Sequence, residues 1–345
     1  MLNRLYDHPR ISRGGVSAHR TQEERAMDFA LMKGHEKREN FIQTREDIEA
    51  KFLAPKSKNF VETEEVEELE GRVLLWLSAG YPVHIVGPTG CGKTALAIRV
   101  AEKLDKPSIW INGDDAITTT DLVGGYSKIE MTRIRDKFIH NVHKDKDTIE
   151  PQWVSNPLAL ACKYGYTLIY NEFSRSKPEA NNILLSVLEE GVLELPTKFG
   201  EERYVKVHND FNAILTSNNI EYAGVHRPQD ALLDRMASIH MGYYNYDTEV
   251  KIVQAHSKIS QEEAEKIVNI VRALRDKFSM AEKPGTRPAI MIAQALAVGN
   301  GYDNKYLEQI CIDAIASKFE SPESAAKKIS LIKQQISKFA NQVSS

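Results

Sequence analysis

The sequence predicts an α/β fold: a parallel five-stranded sheet with helices on both faces, followed by a small all-helical unit. Three observations predict it. Short apolar runs, VHIV (83–86), SIWI (108–111), TLIY (167–170), FNAILT (211–216) and SIHM (238–241), read as buried strands, and helical patterns separate most of them. That alternation goes with a parallel sheet buried on both sides. The first run leads directly into the glycine-rich stretch GPTGCGKT and then into TALAIRVAEKL, a strand–loop–helix unit. Beyond about residue 246 the strand signal disappears and only amphipathic helical patterns remain.

Taken in order, residues 1–57 are polar with mixed charges and too few large apolar residues for a core of their own. They read as a helical or partly disordered extension, in which TQEE (21–24) could open a helix as a capping box. Thr63 is the expected N-cap of the next helix, which carries Val66, Leu69, Val73 and Leu77 on one face; Gly80 and Pro82 end it. In the helical unit, Ser260 and Glu263 predict a second capping box, and TRPAIMIAQALAVGN and KYLEQICIDAIASKF predict two further helices. The tail after Pro322 places Ile329, Ile332, Ile336 and Phe339 on one face, a stripe that reads as helix packing before it reads as a membrane anchor.

Composition narrows the class. At roughly 150 residues per domain, 345 residues make about two domains. A hydrophobic share of 42% and a charged share of 27% exclude a fibrous or wholly disordered chain. The 45 basic and 48 acidic residues leave a net charge of −3, unlike a general nucleic-acid binder. No segment reaches the ~18 consecutive apolar residues of a transmembrane helix, and the N-terminus lacks the apolar core of a secretory signal. Cys91, Cys162 and Cys311 are far apart, which argues against a disulfide framework or a zinc site. A cytoplasmic protein without a transmembrane segment is the expectation.

GPTGCGKT supplies Gly87, Pro88, Thr89, Gly90, Cys91, Gly92, Lys93 and Thr94 and fits GxxxxGK[ST] in its proper context. Its glycines let successive backbone N–H groups turn toward phosphate oxygens, and the helix N-terminus adds positive charge. Lys93 is expected to reach the β and γ phosphates of ATP, and Thr94 to ligate Mg²⁺. Cys91 reads as a small residue filling a tight loop. TLIYNEF ends an apolar strand in Asn171 and Glu172, where a nucleotidase needs groups for Mg²⁺ and for the attacking water.

Together these residues resemble the AAA+ ATPases, P-loop NTPases with an αβα core and a helical lid, and within them the MoxR/CbbQ branch. The resemblance covers roughly residues 58–320 and implies a core over 58–245 and a lid over 246–320, leaving 321–345 as an amphipathic tail. FNAILTSNN resembles the sensor-1 strand, with Asn218 as the sensor. DALLDRM resembles the element whose arginine, here Arg235, reaches the nucleotide of a neighbouring subunit. PGTRPAI resembles the sensor-2 region, with Arg287 as its arginine. DDAITTTDLVGGYSK resembles the helix-2 insert that faces a pore or client. The resemblance therefore implies Glu172, Asn218, Arg235 and Arg287 as catalytic residues, and a self-assembled, hexameric ring. One departure stands out: the usual Asp-Glu pair is here Asn171-Glu172, which keeps an acceptor oxygen for a Mg²⁺-bound water but loses a charge. A slow ATPase is the expectation.

Longer stretches narrow the resemblance. NFVET, AGYPVHIVGPTGCGKT, NEFSRSKPEANNILLSVLEEGVLELP and EYAGVHRPQDALLDRM together resemble the GvpN family of gas vesicle proteins. That implies ATP hydrolysis in gas vesicle assembly and growth, with shell and accessory proteins as partners and association with the vesicle. Two other readings remain open: an activase of another enzyme, and an ATP-gated scaffold or minor vesicle component with little hydrolysis. TTTDLVGG and the stretch TKFGEERYVKV are the expected client-facing elements. His84 reads as a satisfied core residue. His140 and His143 read as a solvated helical face, and Arg175 as either a surface ion pair or a contact to a neighbour's site.

Overall fold

The computed structural model describes residues 52–57, 59–135, 145–195, 203–218, 226–279, 282–299, 304–316 and 322–342. These fall in one compact unit, Phe52–Ser345. The predicted N-terminal helices, His140 and His143 lie outside the described residues.

The first helix, α1 (Glu64–Ser78), starts where its capping residue predicts. Thr63 Oγ1 accepts the Val66 amide, and Glu64, Glu65 and Glu67 place negative charge in the first turn. Strand β1 (Val83–Gly87) follows, then α2 (Lys93–Lys103) and β2 (Ser108–Asn112). A short helix α3 (Thr119–Val123) opens on a capping box between Thr118 and Asp121. After a long hairpin of β3 (Gly124–Arg135) and β4 (Asp145–Ser155) come α4 (Pro157–Tyr164) and β5 (Thr167–Asn171). Helices α5 (Pro178–Asn181) and α6 (Ile183–Glu189) lead to a small hairpin of β6 (Val192–Glu194) and β7 (Tyr204–Lys206). Then come β8 (Asn212–Asn218), α7 (Asp230–Leu233) and β9 (Ala237–His240).

The five predicted strands form one parallel sheet in the order β2-β5-β8-β1-β9. Side chains alternate across it as a pleat requires. Ile169 and Ile214 pack with Val66, Val73, Leu96 and Val100 on one face. Leu168, Tyr170 and Leu215 pack with Leu158, Leu184 and Val187 on the other. Chain order reverses beside β1, and in open α/β sheets the crevice at the strands' C-terminal ends at such a point binds ligands. Ahead of α1, Phe52 packs into the second face and the Ala54 amide bonds the Ser108 carbonyl (2.8 Å), so the chain already runs along the β2 edge there.

Neither hairpin shows in the sequence as a strand pair. The insert stretch DDAITTTDLVGGYSK becomes a helical turn and the start of β3, and YVK of the second stretch becomes β7.

The C-terminal part is helical among the described residues: α8 (Tyr246–His256), α9 (Gln261–Arg275), α10 (Thr286–Val298), α11 (Asn304–Ala316) and α12 (Pro322–Gln342). The predicted capping box at α9 is present, with both the Ser260 and the Glu263 side chains bonded. Ile332 and Ile336 of α12 are buried with Ile267, Val271 and Leu296, so the tail's apolar stripe packs against the other helices. No helix among the described residues is long and apolar enough to cross a membrane.

Candidate nucleotide site

The loop between β1 and α2 is built by its glycines. Gly90 and Gly92 have φ of +79° and +100°, the left-handed region that favours glycine. Gly87 is needed for another reason: a Cβ there would lie 2.2 Å from the Met241 carbonyl oxygen. Lys93, first residue of α2, is buried and donates to the carbonyls of Gly87 (2.9 Å) and Pro88 (2.7 Å) and to Asn218 Oδ1 (3.0 Å). Burial lowers its ammonium pKa; Cys91 and Glu172 oppose that shift, and Arg287 adds to it. Cys91 is fully buried, and burial raises its thiol pKa against the pull of Lys93, so the structure fits its reading as a loop-filling residue.

Sheet register brings the motif residues together. Gly87 pairs with Asn218 across β1 and β8, and Asn112 pairs with Asn171 across β2 and β5. Asn171 Oδ1 accepts from the hydroxyls of Thr94 (2.7 Å) and Thr216 (3.0 Å), while its amide nitrogen donates to Asn112 Oδ1 (3.1 Å). The next residue, Glu172, adopts φ +52° and its amide donates to Thr216 Oγ1 (3.0 Å). That turn presses on β2's exit: a Cβ on Gly113 would lie 2.0 Å from the Glu172 carbonyl oxygen. Arg175 pairs with Glu172 Oε2 at 3.1 Å.

A cavity of about 400 Å³ opens above the loop, lined by Thr89–Ala95, Glu172, Thr216 and Asn218 from the sheet side. Thr286, Arg287, Ile252 and Ile290 of the C-terminal helices close it, with Phe60 and Val61 from ahead of α1. Its polar floor and apolar walls suit a ligand with a phosphate tail and a flat apolar head. Mg²⁺ prefers oxygen ligands and keeps several waters beside phosphates. The Thr94 hydroxyl and the Glu172 carboxylate line the cavity and are oxygen donors of this kind, with the Asn171 amide oxygen behind Thr94. No cluster of three or more His, Cys, Asp or Glu residues that could cage a metal occurs among the described residues.

Arg235 is elsewhere. It lies just past α7, pairs with Glu189 at 2.5 Å and does not line this cavity. His84 is 3% exposed; its Nε2 lies 2.7 Å from Ser217 Oγ, its ring is edge-on to Phe173 at 5.0 Å, and Nδ1 has no hydrogen-bond partner among the described residues. Sequence reasoning missed Asn112, Thr216 and Thr286. Thr216 had a readable signal, a hydroxyl inside an apolar strand run; Thr286 had none, because its partner is distant in the chain.

Comparison with known proteins adds the following. The family model for an AAA domain of the dynein-related subfamily matches residues 82–236. The gas vesicle ATPase GvpN of Haloferax mediterranei is 53% identical over 272 residues, covering 79% of this chain and 78% of that protein. Gas vesicle ATPase GvpN1 of Halobacterium salinarum is also 53% identical, over 77% of this chain and 76% of its own length. Gas vesicle ATPase GvpN of Ancylobacter aquaticus is 43% identical, over 79% and 78%.

Proposed function

The chain belongs to the GvpN family of gas vesicle ATPases, and from that premise we propose that it hydrolyses ATP to drive gas vesicle assembly and growth. The observation that supports this best is the convergence at one cavity of Lys93 on Asn218 and Thr94 on Asn171. Three strand ends and the phosphate loop then face the same space.

The reaction is ATP + water → ADP + phosphate. Backbone amides of residues 89–94 and the Lys93 ammonium bind the phosphates. Thr94, with Asn171 behind it, would hold Mg²⁺, which when bound neutralises phosphate charge. Glu172 orients the attacking water and Asn218 places it near the γ-phosphate. Arg287 contacts the nucleotide from the helical side. Arg235 serves the cavity of the next subunit in a self-assembled ring, proposed as a hexamer, where an added cation offsets charge spreading in the transition state. The two hairpins meet the client, a vesicle shell or accessory protein, and ATP turnover moves the helical part against the core.

A second reading, an ATP-gated scaffold that hydrolyses little, is favoured by two features: Asn171 has no charge, and Glu172 is paired with Arg175.

The test is deletion of the gene and complementation with the full chain, scored by vesicle size and cell buoyancy. Lys93→Ala should fail to restore growth of the vesicles. Arg235→Ala should also fail while still binding ATP, because its own cavity is intact. Full vesicles with Lys93→Ala would overturn the reading.

A further inference from the structure

Glu249, in the first half of α8, is 2% exposed and lies outside every motif of the nucleotide site. Four donor atoms from three side chains converge on its carboxylate. Oε2 accepts from Arg272 Nη1 (2.7 Å) and Arg275 Nη1 (3.3 Å); Oε1 accepts from Arg275 Nη2 (2.7 Å) and Thr286 Oγ1 (3.1 Å). The two arginines carry the network further. Arg275 Nε donates to the Pro284 carbonyl (2.9 Å), and its guanidinium lies over the Tyr243 ring, 4.0 Å from the centroid. Arg272 donates to the Tyr244 carbonyl (3.1 Å). One carboxylate thus ties the link between β9 and α8, the end of α9 and the start of α10 into a single piece.

That piece touches the phosphate loop on both sides. The Thr286 amide donates to the Gly90 carbonyl (3.1 Å), and Gly285 sits so close that a Cβ on it would lie 2.7 Å from the Thr89 carbonyl oxygen. Tyr244 crowds Gly92, where a Cβ would lie 3.2 Å from its ring. Arg287 is the residue after Thr286 and lines the cavity. A carboxylate that loses a partner in such a setting is left charged and unsatisfied, so the arrangement tolerates little drift.

We propose that Glu249 is a positioning residue: by fixing the Thr286 hydroxyl it holds the Thr286 amide on Gly90 and so sets Arg287 over the phosphate loop. Glu249 itself does not touch the nucleotide. This rests on the reading of the cavity as an ATP site, and the test separates the two.

The first readout needs no ATP. In the full-length protein, Glu249→Gln should speed hydrogen exchange in the segment bearing Thr286. The second is ATP affinity: Glu249→Gln should weaken it about tenfold, the scale of one charge-assisted hydrogen bond. In an Arg287→Ala background the same substitution should cost less than about twofold more, because its effect runs through Arg287. Thr286→Val removes only the hydroxyl and should reproduce both results, which keeps the test open if Glu249→Gln does not fold. Unchanged exchange at Thr286 would overturn the proposal, and so would a Glu249→Gln loss that adds in full to that of Arg287→Ala. A wild-type chain that binds no ATP would sink the functional reading, while the exchange result still decides whether Glu249 holds the contact.

Discussion

The sheet edge and the C-terminal helices both place polar groups beside residues 89–94, by opposite means. At the sheet edge the backbone does it: parallel register sets Gly87 opposite Asn218 and Asn112 opposite Asn171, and each functional side chain follows from being the last residue of its strand or the next. Asn171 and Asn218 are held by hydrogen bonds, but restraint on Glu172 is light: among the described residues its carboxylate pairs with exposed Arg175 alone, beside a left-handed turn. In the helical part, side chains do the placing: Glu249, Arg272 and Arg275 fix the Pro284–Thr286 backbone, which then meets the loop. The difference assigns tasks. Groups with freedom to turn suit the reacting water, whereas a locked network suits holding a bound ligand.

The largest effect should come from the sheet edge. Glu172→Gln keeps shape but removes the group that orients water, so kcat should fall by roughly 10²- to 10⁴-fold. ATP affinity should stay within about threefold, because a hydrogen-bonding amide replaces a carboxylate that opposes phosphate charge. Steady-state turnover beside a nucleotide-binding titration checks this. If Glu172→Gln instead loses ATP binding and keeps kcat, the division of labour collapses.

Asn171→Asp should act in the other direction. It restores a charge beside Thr94 and the Mg²⁺ position. Changes in groups that support a metal are commonly worth about 10- to 100-fold, and turnover should rise toward the lower end of that range. A parallel drop in the Mg²⁺ concentration for half-maximal rate should accompany it. Unchanged turnover and unchanged Mg²⁺ dependence would mean that Asn171 does not limit this chain's hydrolysis.

The same contrast explains what could be read without the structure. Short continuous apolar runs mark strands buried on both faces, so the five strands, the phosphate loop and the places of Asn171 and Asn218 at strand ends were legible, whereas the register between strands was not. The capping box at Ser260 and the cap at Thr63 were legible too, because each is complete within four residues. The hairpin β3–β4 was not: its partners Tyr126 and Trp153 are far apart in the chain, and its polar sequence has no apolar run to mark it. Glu249 reads as an ordinary acid in an amphipathic helix, since its partners lie 23, 26 and 37 residues away. Arg235 does not line the cavity of its own chain, so the role proposed for it in a neighbouring subunit is not legible from one chain.

The smallest effect concerns what supports the sheet edge from behind. His84 sits on β1 next to Ser217 of β8, one residue before Asn218, and against Phe173, one residue after Glu172. Burial, with His240 adding to it, pushes its pKa down from 6.5 to about 4. The folded chain therefore keeps His84 neutral where the unfolded chain takes up a proton, and stability falls as pH drops through the unfolded value toward the folded one. Between pH 7.5 and 5.5 this histidine should remove about 1.4 kcal/mol, near a factor of ten in the folding equilibrium. His84→Gln keeps a polar partner for Ser217 and does not titrate, so denaturant melts at the two pH values should show a smaller loss than wild type by that amount. An equal pH loss in both proteins would move the acid sensitivity of the sheet edge to another group and leave its support to apolar packing alone.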